Sequence, residues 1–212
     1  MLVGRAFYRR SPAAVAAELI GCELRVGGIH ARVTEVEAYS GPEDSASHAR
    51  FDRHGRSKTM YGDAGRAYVY LCYGLHHMVN VVAHEDGDAG AVLIRSCELL
   101  RGHALVARRR GQVVQRLREA AWLQGPGNVG KGLAIDRSWD GHVLYRAGGL
   151  TVHRGDVPSR LRVGRRVGIE FAAPRDRRRR WRFACPQTPY VALPKELRSM
   201  ARDRVLTNCA AR

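Results

Sequence analysis

The stretch Cys22–Tyr39, CELRVGGIHARVTEVEAY, holds two runs of strand-forming residues on either side of Gly27-Gly28. Paired glycines between two such runs are typical of a β-hairpin turn. Every second residue of the second run lies on one face, which starts apolar and ends with carboxylates. If no bulge intervenes, this face comprises Ile29, Ala31, Val33, Glu35, Glu37 and Tyr39. The sequence thus predicts a hairpin whose acidic residues continue an apolar face.

Outward from this hairpin, the pattern predicts further short strands and a few helices. Ser11-Pro12 and Gly21 bound a short amphipathic helix. Gly41–Asp63 is polar and lacks periodicity, which is typical of a long irregular loop. A second hairpin is expected from Ala67–Cys72 and Leu75–His84 around Tyr73-Gly74. Other strands are predicted at Ala91–Cys97, Val143–Arg146, Leu150–Arg154, Arg160–Phe171 and Arg180–Ala184, and other helices at Glu98–Trp122 and from Pro194 onward.

Positive charge dominates the composition. The chain of 212 residues has a formal net charge of +16, and only three of its 36 basic residues are lysines. Such a charge favours an anionic partner, either a nucleic acid or an acidic lipid surface. The guanidinium fork of arginine suits phosphate contacts. A general bias of the genome toward arginine is the alternative explanation.

Length and cysteine usage narrow the class further. A chain of this length can bury one sizeable core, so we expect a single domain over residues 1–212, with the tail from about 194 unassigned. No apolar run is long enough for a membrane span, and no secretory signal is evident, so a cytoplasmic protein is expected. Five scattered cysteines without a C-x-x-C pair predict neither a disulfide framework nor a cysteine-rich zinc site.

One long motif resembles a known enzyme family. Val36–His48, VEAYSGPEDSASH, resembles the E-A-Y-x-G-P-x-D-x-A-x-H signature of the alkyladenine (3-methyladenine) DNA glycosylases. Matching segments follow in the same order over most of the chain, from about Phe7 to Leu193. They are Tyr68–Gly74 with Asn80, Val92–Arg95, Gly125–Asn128 and Arg166–Ile169. The resemblance implies an α+β fold with a curved antiparallel sheet, a protruding β-hairpin and surrounding helices.

Catalytic positions follow from this resemblance. Glu37 matches the general base that activates the attacking water, and Arg95 matches the arginine that contacts the water and the carboxylate. The main-chain carbonyl of Val167 corresponds to a further water ligand. An ionised carboxylate fits the chemistry, because cleavage of a glycosidic bond passes through an oxocarbenium-like sugar.

The resemblance also assigns a base pocket and a wedge. Tyr39, His48 and Tyr70 match the residues that sandwich a flipped base, and Asn80 matches the asparagine that crowds the amino group of guanine. Aromatic rings favour a cationic alkylated purine over a neutral one. At the tip of the second hairpin, Tyr73 matches the side chain that fills the gap in the duplex, with Leu75 beside it. Tyr68 is assigned to packing of the sheet.

The implied function is excision of a damaged purine from double-stranded DNA by a monofunctional glycosylase, which leaves an abasic site. No metal or organic cofactor is implied, and no membrane partner. A monomer is expected, located in the bacterial cytoplasm at the nucleoid, or in the nucleus if the source is eukaryotic. The order of preference among alkylated purines, hypoxanthine and etheno adducts stays open.

Some individual segments allow competing interpretations. Gly125–Gly132 partly matches a phosphate-binding loop but lacks its final Ser or Thr and follows a predicted helix instead of a strand. Cys72, His76, His77 and His84 lack a standard zinc-ligand spacing. A non-catalytic nucleic-acid-binding protein would explain the charge alone. The run Arg175–Arg182 is interpreted either as a solvated turn or as a contact to DNA phosphates.

Overall fold

An antiparallel sheet with helices packed against it forms the framework. The computed structural model describes residues 1–51, 53–111, 116–186, 188–192 and 196–210. Its strands are β1 (Glu23–Val26), β2 (Ile29–Tyr39), β3 (Ala67–Cys72), β4 (His76–Val82), β5 (Ala91–Arg101), β6 (Thr151–His153), β7 (Arg160–Gly164), β8 (Arg182–Ala184) and β9 (Arg198–Ala201). Its α-helices are α1 (Pro12–Leu19), α2 (His103–Arg110), α3 (Pro126–Leu133), α4 (Pro174–Arg178) and α5 (Arg202–Ala210).

Strand β2 is the centre of the sheet. The strand order is β3-β4-β5-β2-β8-β7-β9, and every pairing is antiparallel. One edge of β2 pairs with β5 along its length. The other edge pairs with β1 in its first half and with β8 in its second half, while β6 extends the sheet beyond β1. The predicted α+β class, with an antiparallel sheet, a β3–β4 hairpin and surrounding helices, is confirmed.

Helix α1 covers the apolar face of the central strands. It begins as predicted, because the Ser11 side chain accepts a hydrogen bond from the Ala14 amide at 3.4 Å and Pro12 occupies the first helical position. Val15 and Leu19 are fully buried in the main core together with Ile29 of β2. No helix in the described ranges is long and apolar enough to cross a bilayer.

A bulge in the middle of β2 changes which face carries the carboxylates. Val33 pairs with Cys97, but Glu35 pairs with Ser96 and Val36 with Ile94, so the register shifts twice within a few residues. The core face therefore passes from Val33 to Val36. The predicted continuous face was wrong, because Glu37 and Tyr39 point away from the main core. The irregularity gives the second half of β2 a polar face.

Two predicted elements have different bounds. Strand β5 continues to Arg101 with Leu99 buried, so the predicted helix Glu98–Trp122 was wrong at its start. Gly102, at φ 92°, makes the turn from strand to helix, and α2 ends at Arg110. Residues 112–115 of that prediction lie outside the described residues.

The C-terminal third also differs from expectation. Val143–Arg146 forms turns with one isolated bridge between Val143 and Arg66, so the strand predicted there was wrong. Strand β7 stops at Gly164, well before Phe171, because a turn follows it. The start of the final helix at Pro194 lies outside the described residues. The helix that the structure does show near this end is α5, which follows β9.

The glycine-rich segment forms helix α3, not a phosphate loop. A 3₁₀ turn, Glu119–Ala121, precedes it, where a phosphate-binding loop would follow a strand. Its glycines allow α3 to approach the β3–β4 hairpin closely. A Cβ at Gly127 would lie 2.7 Å from the ring of His76, and a Cβ at Gly130 would overlap the main-chain oxygen of His77.

We predict that Gly130→Ala destabilises the fold. Glycine to alanine inside a helix normally gains up to about 1 kcal/mol. Here the added methyl group would force α3 away from β4, and such overpacking costs about 1–3 kcal/mol. Urea unfolding of Gly130→Ala should show a lower midpoint at unchanged slope. Gly4→Ala is the control, since a Cβ at Gly4 meets nothing within 4 Å, and equal midpoints for the two variants would contradict the prediction.

Candidate active site

A cavity of about 790 Å³ opens beside the polar half of β2. The strands β3, β4 and β5, the loop after β2 and the turn after β7 all contribute to its walls. Most of the lining side chains are aromatic or apolar, with a few polar groups among them. The lining includes Tyr39, His48, Arg56, Tyr68, Tyr70, Tyr73, Asn80, Leu93, Arg95, Pro126, Arg137, Val167, Ile169 and Phe171.

The Glu37 carboxylate is fully buried directly behind the cavity wall. Its three partners, Tyr39, Arg95 and Val167, all line the cavity. Its Oε1 accepts a hydrogen bond from the main-chain amide of Val167 at 2.8 Å. Its Oε2 accepts one from the Tyr39 hydroxyl at 2.8 Å and lies 3.2 Å from Nη1 of Arg95. Both oxygens therefore have donors, which is the condition for burying a carboxylate.

Arg95 provides the positive charge next to Glu37. Burial lowers its pKa, but Glu37 and Glu35 together raise it by more, so the pKa lies above the usual arginine value. For Tyr39, burial raises the pKa of the phenol well above its ordinary value, and the Glu37 charge adds to this rise. Tyr39 thus stays a neutral donor to Glu37.

An aromatic wall faces these groups. The rings of His48 and Tyr70 meet edge to face with centroids 4.6 Å apart, and Tyr68 lies 5.4 Å from Tyr70. Nδ1 of His48 lies 2.8 Å from the Tyr68 hydroxyl. Burial raises the pKa of both tyrosines. The phenols of Tyr68 and Tyr70 are therefore uncharged hydrogen-bonding groups near neutral pH.

His48 is neutral as well. Burial is the main cause, with Arg56 and Arg50 adding to it, and together they lower the pKa of His48 from 6.5 to about 4. The aromatic rings of the wall therefore add no positive charge that would repel a cationic ligand. The positive charges of the lining belong to Arg56, Arg95 and Arg137.

The loop that carries His48 is held by a buried ion pair and a hydrogen bond. Asp44 accepts hydrogen bonds from both terminal nitrogens of Arg166, at 2.5 and 2.9 Å, and Arg166 also binds the Ala38 carbonyl. The Ser45 hydroxyl donates to Asp176 at 2.5 Å. Because the guanidinium of Arg166 also lies 4.8 Å from the Tyr39 ring, the loop and the end of β2 are fixed together.

Asn80 faces the cavity from β4. Its side-chain amide donates to the Tyr68 carbonyl at 3.0 Å and to the Met78 carbonyl at 3.3 Å. These two bonds hold its amino group against the main chain of the hairpin. The side-chain oxygen is left as the atom that can meet a ligand.

Tyr73 and Leu75 stand at the tip of the β3–β4 hairpin, where they are 91% and 76% exposed. Tyr73 and Gly74 both have positive φ, at 50° and 69°, and the Leu75 amide donates to the Cys72 carbonyl at 3.0 Å. A type I′ turn requires two such central residues. Tyrosine rarely adopts positive φ, at a cost of about 1–2 kcal/mol. A bulky residue held in this conformation, and in solvent, points to a functional role for the tip.

Of the nine residues that the sequence singled out, seven line the cavity, Glu37 contacts three of these seven, and Leu75 lies outside the lining at the hairpin tip. The cavity wall also includes others. Tyr68, assigned above to sheet packing, also lines the cavity and contacts His48, and Arg56 and Arg137 contribute positive charge to its walls. Strand alternation places Tyr68 and Tyr70 on one face, so that spacing was the available signal. Nothing in the sequence marked the two arginines.

The end of the run Arg175–Arg182 is neither a solvated turn nor a contact to DNA phosphates. Arg182 is fully buried in β8 and forms an ion pair with Glu35 at 2.7 Å. Arg179 stacks over the Trp181 ring at 4.3 Å. Only part of the run is therefore available to solvent or DNA.

Comparisons with known proteins show the family of this chain. A family model described as methylpurine-DNA glycosylase (MPG) matches residues 6–189. A Nitrosococcus oceani protein named "Putative 3-methyladenine DNA glycosylase" is 46% identical over 192 residues, which cover 90% of this chain and 93% of that protein. An Arabidopsis thaliana protein named "DNA-3-methyladenine glycosylase" is 42% identical over 190 residues, covering 89% and 73%. On these matches, the chain belongs to the methylpurine-DNA glycosylase family, a family of DNA-repair hydrolases that act on N-glycosyl bonds.

Proposed function

We propose that this protein flips a damaged purine out of duplex DNA into the cavity and hydrolyses its N-glycosidic bond with a water activated by Glu37. The observation that carries the proposal is the buried Glu37 carboxylate, which contacts three residues of the wall of an aromatic cavity, among them Arg95 at 3.2 Å. The 3-methyladenine in the names of the relatives is the expected type of substrate.

The chemistry assigned to Glu37 follows from its charge and place. As the bond from the sugar to the purine breaks, positive charge develops on the sugar, and an ionised carboxylate stabilises it. Glu37 takes a proton from water while the water oxygen bonds to the sugar carbon. Arg95 faces the Glu37 carboxylate with its positive charge and orients it. The Val167 carbonyl is proposed as a further ligand of this water.

Substrate choice is assigned to the aromatic wall. Tyr39, His48 and Tyr70 would enclose the base, and their neutral rings favour an alkylated purine that carries a positive charge, by about 0.5–2 kcal/mol. Such a base leaves as a neutral molecule without needing a proton. Asn80 would crowd the amino group that guanine and 7-methylguanine share, so the positive charge of 7-methylguanine is what favours it over intact guanine.

Tyr73 and Leu75 are proposed to enter the duplex where the nucleotide leaves it. Unstacking a base costs a few kcal/mol, and a side chain that fills the gap recovers part of this cost. The net charge of +16 would strengthen attraction to the phosphates.

The product is an abasic site with an intact strand, since no lysine lies in the described lining of the cavity to form a Schiff base with the sugar. We propose that the protein acts as a monomer of one domain.

We predict that the wild-type protein releases 7-methylguanine from a labelled duplex and that Glu37→Gln slows this release by at least about 100-fold. The amide keeps the shape of the side chain but cannot accept the proton from water. Single-turnover excision, followed by alkali to break the strand at abasic sites, measures the effect. DNA affinity should change by less than about threefold, because Glu37 is buried away from the DNA backbone.

Glu98→Gln is the control, since Glu98 pairs with Arg32 elsewhere on the same two strands. A Glu37→Gln protein with wild-type excision would contradict the proposed role. No release by the wild type from duplexes with 7-methylguanine, 1,N6-ethenoadenine or hypoxanthine would contradict the function. Strand breaks without alkali would contradict the monofunctional product.

We predict that Tyr73→Asn shortens residence on damaged DNA without destabilising the fold. Asparagine accepts positive φ more readily than tyrosine, so the free energy of unfolding should stay equal or rise by up to about 1 kcal/mol. Loss of the ring should speed dissociation from a duplex containing an abasic-site analogue by about tenfold. Tyr73→Phe, which keeps the ring, is the control and should dissociate like the wild type. Equal residence times for Tyr73→Asn and Tyr73→Phe would remove the wedge role.

We predict that His48 makes the folded state less stable in acid. Its pKa is about 4 in the folded protein and near 6.5 when unfolded, so between these values only the unfolded state binds the proton. Stability should therefore fall as the pH drops from 6.5 to 4. In His48→Gln this loss should be smaller. Urea midpoints at pH 7 and pH 4.5 measure it, and an equal loss in the wild type and in His48→Gln would contradict the prediction.

A further inference from the structure

We infer that Glu35 is a positioning residue that sets the orientation of Arg95 toward Glu37, and that the segment around Ala192 completes its binding site. This inference rests on the function proposed above. Glu35 is fully buried on β2, two residues before Glu37, and the reaction as described makes no use of it.

The Glu35 carboxylate binds four donors. Its Oε1 accepts from Nε of Arg95 at 2.9 Å and from Nε of Arg182 at 2.7 Å. Its Oε2 accepts from the Ser96 hydroxyl at 3.1 Å and from the Ala192 amide at 2.7 Å. A carboxylate offers about four lone-pair sites, so the capacity of Glu35 is filled. Its position is therefore determined from several elements at once.

Arg95 lies between the two carboxylates. Its Nε faces Glu35, and its Nη1 faces Glu37 at 3.2 Å. The guanidinium is planar and rigid, so fixing one edge determines where the other nitrogens point. Without Glu35, the contact of Arg95 that remains within the described part of the chain is the one with Glu37. The angle from which Arg95 meets Glu37 is thus set by Glu35.

Arg182 supplies the second positive charge. It is fully buried, contacts the Ala192 carbonyl through Nη2, and lies 3.2 Å from Glu196 through Nη1. The four side chains of this buried cluster are Glu35, Glu37, Arg95 and Arg182. They comprise two carboxylates and two guanidiniums, so their formal charges balance. Such clusters rarely add stability over apolar residues, which argues that this one serves orientation.

The partners of this cluster include residues beyond the family match. The family model ends at residue 189. Beyond it, Ala192 contacts both Glu35 and Arg182, and Glu196 contacts Arg182. The Thr34 hydroxyl also donates to the Tyr190 carbonyl at 2.6 Å, directly next to Glu35 on β2. The segment after β8 is thereby attached to the strand that carries Glu37. We assign to Ala192 in this segment the fourth hydrogen bond to the Glu35 carboxylate.

The test is Glu35→Gln in the full-length protein. A glutamine has one acceptor oxygen and one donor group, so it cannot accept all four hydrogen bonds. Arg95 should then lose its fixed plane. A displacement of the order of 1 Å costs roughly 100-fold in rate. We expect single-turnover excision of 7-methylguanine to slow by roughly 10- to 100-fold per active site, with half-saturation by DNA unchanged within about twofold.

Active sites are counted by titration with a duplex containing an abasic-site analogue, so that unfolded protein does not lower the measured rate. A purely structural role would reduce this count and leave the rate per site unchanged. Arg182→Lys keeps the charge but removes the Nε contact with Glu35, so it should slow excision in the same way. This second variant tests the inference if Glu35→Gln does not fold. Glu98→Gln serves as the control on β5 and should match the wild type.

Wild-type rates per site in both Glu35→Gln and Arg182→Lys, with Glu37→Gln inactive, would overturn the positioning role and leave the proposed function intact. A wild type that releases no base would instead overturn the function itself. A weaker half-saturation by DNA with an unchanged rate would also contradict the inference, because it would assign Glu35 to binding.

Discussion

The rest of the site depends on supplying hydrogen-bond donors to the Glu37 carboxylate inside the protein. A buried carboxylate is costly unless every oxygen meets donors, and Glu37 meets the Val167 amide, the Tyr39 hydroxyl and Arg95. Each donor comes from a different part of the fold, so β2, β5 and the turn after β7 must converge at one point. The sheet order, with β2 between β5 and β8, makes that convergence possible.

Much of the fold was predictable from local patterns. The cap at Ser11, the glycine pair after Val26 and the Tyr73-Gly74 turn are local signals, and their elements formed as expected. The bulge in β2 was not predictable, because it depends on how β5 pairs with β2 and not on the residues of β2 alone. The extension of β5 to Arg101 has the same cause, since pairing with β2 outweighed a sequence compatible with helix.

The residues of the site were predictable only as members of a motif. Glu37, Tyr39 and His48 follow one another along the chain, so a long match assigns them together. Arg182 stood within a run of arginines that gave no sign of its burial, and Glu35 had no partner visible in the sequence. Their roles arise from contacts between strands far apart in the chain, which periodicity cannot report.

The close approach of α3 to the β3–β4 hairpin has a mechanical consequence. A side chain driven between stacked bases experiences an equal force in return, and a free two-stranded ribbon would bend under it. Here Gly127 and Gly130 let a helix of the core rest directly against His76 and His77, just behind the hairpin tip. If Tyr73 enters the duplex as proposed, this support carries the reaction force into the body of the protein.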